Sequence, residues 1–392
     1  MKKSPDKTVN SAEATVEAAR RLSRRMFLKS GAAAATGVAA MGPWVVAEAQ
    51  SSSGSLNLLV WDDELPNPVV PDFEKKTGIK VNLTPFSQNE EQINKLQATR
   101  GQGFDLCQPT HDRAQQFQEL DVLQAFDEKK MTLDNLLPSI LQASRANYTW
   151  GGKLFHVSHC WGTEAISWRN DQTKLEYAKL SYGTLWNEEY KGKVQGRPHS
   201  ILLGIGLWMD GNGKLKTNRM MDAYKDEASM KKIYDVLLKE AVSRKAWIKQ
   251  FWDSADTTKA GFTSNGCVIG QTWDGPAISL KKAGQPITFM APQEGAIGWV
   301  DGWSMTKAAR NVEQAYEWLK WVHSTEGAAK VAEGSGYNPV AKGADALLSD
   351  KAKAIFQEAY PGPSLEKMWW RPVEPSWFAE LRTQYAEKLK AA

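Results

Sequence analysis

The segment Leu56–Leu83, LNLLVWDDELPNPVVPDFEKKTGIKVNL, decides the fold class. Leu56–Trp61 is an apolar run of strand length. Val69–Thr77 has the spacing of a helix and stops at Gly78, a residue type that readily takes the left-handed conformation that ends helices. Ile79–Leu83 alternates apolar and polar residues, which predicts a second strand. Downstream, Asn89 is expected to cap a helix reaching Ala98, and Phe104–Cys107 reads as a third, short strand running into Pro109, Thr110 and His111. Strand, helix, strand, helix, strand in that order implies a parallel sheet, because parallel strands need crossover connections that place helices on the faces. Ligands of such sheets sit beyond the carboxyl ends of the strands. That makes Trp61, Asp62, Asp63, Thr110 and His111 candidates for a site.

A second α/β region follows. Trp186–Gly192 is a polar connection, Ile201–Trp208 reads as helical, and Met230–Ala241 is an amphipathic helix. Val268–Trp273 is a buried strand ending in Asp274-Gly275, and Ile287–Met290 is another. Amphipathic helices are predicted over Val312–Val322 and Trp377–Lys390. With 392 residues, 42% of them hydrophobic and 24% charged, the chain is an ordinary globular α/β protein long enough for two cores.

The first 49 residues read as a leader rather than as part of the fold. Arg24-Arg25 precede Met26-Phe27-Leu28-Lys29, then comes an Ala-rich, weakly apolar stretch to Val46, and Ala47-Glu48-Ala49 offers a small-x-small cleavage site before Gln50. The paired arginines resemble a twin-arginine (Tat) export signal, which implies a folded protein delivered to the periplasm. The apolar run is short and broken by Pro43, against a membrane anchor. Residues 50–55 form a flexible Ser/Gly spacer.

Of 49 basic and 45 acidic residues, the leader holds eight and four, leaving 41 of each in the body. A neutral body argues against nucleic acid or an anionic membrane as partner, since both attract a net positive surface. The five histidines are scattered, and no His/Cys spacing suggests a zinc site. Cys107, Cys160 and Cys267 lie in apolar runs and read as small buried hydrophobes, although an odd number leaves at least one free thiol or an intermolecular bond.

Seven collinear segments carry a family resemblance: LLVWDDELPNPVVPDFEKKTGIKV, GFDLCQPT, WGTEAISWRN, LWNEEYKGKV, QTWDGPAISLKKAGQPI, PQEGAIGWVDGWSM and GSGYNP. In this order the chain resembles the periplasmic spermidine/putrescine-binding proteins of bacterial ABC importers. The resemblance implies a periplasmic-binding-protein fold, two α/β lobes joined by crossing strands with a ligand cleft between them. One lobe would comprise residues 56–162 and 303–345, the other 163–302, with residues 346–392 packing back across both. The function implied is capture of a small molecule, without a cofactor, by a monomer that hands it to the importer's membrane subunits.

The resemblance also implies site residues. Polyamine binders hold the methylene chain between aromatic rings and pair each amine with a carboxylate, as a desolvated cation requires. The matching positions are Trp61, Trp273 beside Asp274, Trp299 and Asp301 at the second crossing, and Tyr337. Asp62, Thr110, His111 and Trp161 border the same cleft. The departures invert a charge. A tyrosine of the first loop is replaced by Glu64, an aromatic after the third strand is lost at Thr110-His111-Asp112, and the acidic pair after the middle-domain linker falls on Arg197 and Ser200, next to His199. A polar position near the C-terminus falls on or near Arg371. Guanidinium in place of carboxylate favours an anionic group, so a zwitterion is expected to fit better than spermidine: cation against Trp273, Trp299 and Asp301, anion against Arg197 and Arg371.

Other readings of these residues stay open. Most of the 17 tryptophans fill cores, and Trp186, Trp247, Trp318 and Trp321 are assigned there. Trp161, Trp303 and Trp370 suit core or cleft equally, Asp301 suits a hinge, Arg197 suits an interlobe ion pair, and His111 suits a bond within its own loop. The alternative class is an exported enzyme. The sequence carries no Gly-rich dinucleotide turn, no cysteine cluster for iron–sulfur and no Gly-x-Ser-x-Gly elbow, nor the adjacent tyrosines of Fe(III)-binding relatives. A chemoreceptor partner of the same fold would share every feature read so far.

Overall fold

The chain from Gly54 enters β1 (Ser55–Trp61), then α1 (Val69–Thr77), β2 (Lys80–Phe86), α2 (Asn89–Thr99) and β3 (Leu106–Cys107). This is a computed structural model, and it describes residues 54–392. The leader, its cleavage site and residues 50–53 of the spacer lie outside the described residues. As the opening segment predicts, β1 pairs in parallel with β2 on one side and β3 on the other. Gly78 closes α1 at φ 74°, the left-handed conformation glycine adopts without a steric penalty.

The first region continues through α3 (Ala114–Leu120), β4 (Leu123–Gln124), α4 (Pro138–Asn147) and the hairpin of β5 (Thr149–Trp150) and β6 (Lys153–Leu154). Then β7 (Val157–Arg169) carries the chain into a second region: β8 (Val194–Gly196), α5 (Pro198–Gly211), α6 (Glu227–Ser243), β9 (Ile248–Phe251), α7 (Ala255–Thr263), β10 (Ile269–Trp273), α8 (Asp274–Lys282) and β11 (Ile287–Met290). The chain returns along β12 (Ile297–Thr306) to α9 (Val312–Val322), α10 (Thr325–Ser335) and β13 (Asn338–Pro339). It ends with α11 (Asp350–Ala359), β14 (Trp369–Trp370) and α12 (Ser376–Ala391).

β7 and β12 join the two regions. They pair antiparallel from Glu164↔Ile297 to Val157↔Trp303, with a bulge at Asp301/Gly302 opposite Ser158–Cys160. Beyond that pairing, β12 reaches β3 and β4, while β7 reaches β10 and β11. The strand order is β2-β1-β3-β12-β7-β10-β8-β9. In the second region β8 is parallel to both β9 and β10, so it repeats the parallel arrangement of the first.

Apolar residues divide accordingly. One core gathers Leu58, Phe73, Leu106 and Phe117 with Trp303 and Trp318 from after the return crossing. The other gathers Ile166, Leu202, Tyr234 and Ile269 with Phe378 and Leu389 of α12. The C-terminal helix is therefore built into the second core. Trp303 is fully buried and stands edge-on to Trp318, which settles its ambiguity in favour of packing. Trp186 and Trp321 are buried as well. All three cysteines are buried and unpaired.

One local expectation is corrected. Asn89 is the first residue of α2 and does not cap it; its side-chain amide donates instead to Thr110 Oγ1 at 2.8 Å. β10 stops at Trp273, as read from the sequence, and Asp274 opens α8.

Candidate functional site

The carboxyl ends of β1, β3, β8 and β10 face one cavity, as parallel sheets require. Its residues form an aromatic belt between an acidic pole and a guanidinium pole. The belt comprises Trp61 at the end of β1, Trp273 at the end of β10, Trp299 on the crossing strand β12, and Tyr337 after α10. Trp61 stands edge-on to Trp273 at 6.0 Å and 82°, and Trp299 edge-on to Tyr337 at 4.9 Å and 79°. All four rings are buried. Their faces suit methylene chains and alkylammonium groups.

The acidic pole comprises Asp63, Glu64 and Asp301. Tyr337 donates its hydroxyl to Asp63 Oδ2 at 2.6 Å, and Gln108 Nε2 donates to Glu64 Oε2 at 3.1 Å. No cationic side chain pairs with any of the three carboxyls among the described residues. Burial pushes Asp63 up to about 6 and Asp301 up to about 7. Glu64 is raised well above the usual carboxylate range by burial and by the Asp301 carboxylate beside it. Asp301 Oδ1 is enclosed without a hydrogen-bond partner. An ammonium group is the natural complement of such a cluster.

Four arginines line the opposite pole: Arg113, Arg197, Arg371 and Arg382. Arg113 pairs with Glu90 at 3.0 Å and Glu374 at 2.9 Å, with Asp112 at 3.7 Å. Arg382, from α12, reaches the same Glu90 at 2.7 Å and Glu374 at 3.3 Å. Arg371 meets Glu164 at 3.3 Å. Burial lowers Arg197 to about 10, so it remains charged at neutral pH. His199 is held neutral by burial and by the surrounding guanidiniums.

Comparison with known proteins places this architecture. The model of a bacterial extracellular solute-binding protein family matches residues 69–358. The chain belongs to this family. Its members bind solutes and are not enzymes. The solute-binding protein is 25% identical over 360 residues to the spermidine/putrescine-binding periplasmic protein of Escherichia coli, covering 91% of this chain and 97% of that one. Among solved structures it is similar to a spermidine/putrescine ABC transporter substrate-binding protein from Streptococcus pneumoniae (TM-score 0.67, 22% identity, 86% and 98% of the two chains covered). It is also similar to the Agrobacterium protein AgtB in complex with agropinic acid (TM-score 0.62, 13% identity, 86% and 98% covered). These likenesses give the solute-binding protein the fold of periplasmic binding proteins.

Of the residues singled out by sequence, the solute-binding protein brings Trp61, Thr110, Arg197, Trp273, Trp299, Asp301, Tyr337 and Arg371 to one cavity, together with Asp63, Glu64 and His199. Four others stand outside its lining. Asp62 turns away and accepts from Ser87 Oγ at 2.8 Å. His111 Nδ1 accepts from the Val300 amide at 3.0 Å, which leaves Nε2 to donate to the Arg371 carbonyl at 2.9 Å; the ring ties β12 to the C-terminal segment. Trp161 packs against Trp370 and Tyr360. Asp274 is buried behind the cavity, accepting from the Thr163 amide at 3.0 Å and the Tyr360 hydroxyl at 2.8 Å, and its carboxyl is pushed up to about 7 by burial.

Sequence reasoning missed Asn89, Arg113 and Arg382. Arg382 sits on a helix whose other residues read as an ordinary amphipathic face, and only the tertiary fold brings it beside Glu90. One cluster could hold a metal ion: Glu64, His159 and Cys160 each place one donor atom within 4.8 Å of the others. His159 is the extra residue of the β7 bulge, a device no sequence spacing announces.

Proposed function

We propose that this protein is the solute-binding component of an ABC importer and captures a small polar organic cation or zwitterion between its two lobes. The observation that carries the reading is the composition of the cavity: four buried aromatic rings beside three carboxyls, those of Glu64 and Asp301 buried and that of Asp63 half-buried, that have no cationic partner among the described residues. Such a lining is costly without a guest and complementary to an amine with it. The names of the polyamine-binding relatives support the cationic half of this reading, and the agropinic acid complex supports a wider range of guests for the fold. The lobes, residues 56–162 with 303–345 and residues 163–302, would close on the ligand about β7 and β12, with residues 346–392 laid across them. A Tat-type leader would deliver the folded monomer to the periplasm, and membrane subunits would accept the closed form.

The test is identification by mass spectrometry of the small molecule that copurifies with the folded protein, followed by isothermal titration of it into stripped protein. Binding with a change in Trp fluorescence and recovery of the ligand chemically unchanged is the expected result. Turnover of that molecule, or binding insensitive to Trp273→Ala, would reject the reading.

A further inference from the structure

We infer that the amino end of α5 and Arg197 together form an oxyanion subsite, so that the captured solute is an amino-carboxylate rather than a di- or triamine. This deepens the solute-binding reading and rests on it.

The inference starts from how the four guanidiniums of the cavity are spent. Arg113 and Arg382 share Glu90 and Glu374, and Arg371 holds Glu164. Arg197 has neither an ion pair nor a hydrogen bond from its guanidinium among the described residues; it lies over the Trp273 ring at 5.1 Å. A charged fork left unpaired beside a cavity is directed at something outside the protein. Its backbone adds to the effect. Arg197 is the N-cap of α5, a helix of 14 residues running from Pro198 to Gly211, and no side chain caps that end. Pro198 has no amide hydrogen, and the amides of His199 and Ser200 follow at the amino end of the helix, where unpaired N–H groups and the helix dipole favour an anion. His199 also lines the cavity.

Across the aromatic belt stand Asp63, Glu64 and Asp301, which have no cationic partner among the described residues. A diamine long enough to span the cavity would satisfy that pole and set its second ammonium against Arg197. A dicarboxylate would satisfy Arg197 and set its second carboxylate against three acids. A molecule with an ammonium at one end and a carboxylate at the other meets both poles with the correct sign. Extra amines near the first end are compatible with the excess of acid there.

A chain-matched series tests this. Aliphatic chains of three to six carbons, each as α,ω-diamine, ω-amino acid and α,ω-diacid, with ornithine and lysine alongside, are titrated calorimetrically into stripped protein. The expected result is that the best amino acid binds at least about 100-fold tighter than the diamine or diacid of its length. Arg197→Gln should remove most of that preference, Arg197→Lys part of it, and Arg197→Glu should turn it toward the diamine; circular dichroism checks that each variant is folded. A diamine that binds as tightly as its matched amino acid overturns the inference and leaves solute capture standing. So does amino-acid affinity unchanged within threefold in Arg197→Gln. Absence of binding by the whole series overturns the inference, and if no solute copurifies either, the solute-binding reading falls with it.

Discussion

Asp63, Glu64 and Asp301 set how ligand capture responds to pH. Their carboxyls titrate above the ordinary range in the folded protein, at about 6 for Asp63 and about 7 for Asp301, because burial penalises the charged form. The unfolded chain gives up these protons near pH 4. Without ligand the folded state therefore gains stability below pH 4 relative to the unfolded one, and loses it as pH rises toward 7. A cationic ligand needs the carboxylates, so binding expels protons and strengthens over the same window. We expect the dissociation constant to fall about tenfold or more from pH 5 to pH 8 and then level off. Calorimetry at pH 6 in buffers of different ionisation enthalpy should register proton release, and Asp301→Asn should flatten the profile. These residues also mark what sequence could reveal. Trp61 was legible because it ends an apolar strand segment at its carboxyl end, whereas Trp273, Trp299 and Tyr337 were reached through the family resemblance of the segments that hold them. Asp62 was misplaced because neighbours at a strand end point to opposite sides, and the sequence does not say which side faces the cavity; Asp274 was misplaced because it opens α8 and turns its carboxylate to Thr163 and Tyr360.

At the scale of elements, the long crossing strands β7 and β12 came only as an implication of the resemblance, whereas a short strand and two helices were read to the residue: Ile287–Met290, Val69–Thr77 and Val312–Val322 match prediction. Their periodicity is set by burial on one face and needs no tertiary context. The bulge in β7, the opening of α8 at Asp274 and the approach of α12 to α2 were not legible, because pairing partners distant in sequence decide them. The crossing strands are the least forgiving of these elements. A Cβ added at Gly162 on β7 would overlap the Trp299 ring and crowd the Asp274 carboxylate. Gly162→Ala should therefore displace Trp299 into the cavity. The expected outcome is affinity loss of about tenfold or more with a destabilisation of about 1–3 kcal/mol, typical of overpacking; titration calorimetry and thermal melts measure both.

For the molecule as a whole, Glu90 is the notable joint. It belongs to α2, whose Leu96 lies in the first core, yet it holds Arg382 of α12, whose flanking Phe378 and Leu389 lie in the second. The two neighbouring guanidiniums hold its carboxylate far below the usual range. Moving the two cores apart would break this ion pair, so we expect it to favour closure in the unliganded protein. Glu90→Gln should shift that balance: small-angle scattering should give a larger radius of gyration for the unliganded variant than for wild type, with saturating ligand restoring the wild-type value. Equal radii without ligand would rule out Glu90 as a clasp.

The three thiols have a consequence for how the protein can be made. Cys107, Cys160 and Cys267 are each buried and none is bridged. Maturation accordingly requires no oxidant and no thiol isomerase, and synthesis in a glutathione-rich compartment should yield the native form in full. Dithiothreitol should leave the melting temperature where it was, and a thiol-labelling reagent should report three reactive groups only after denaturant is added.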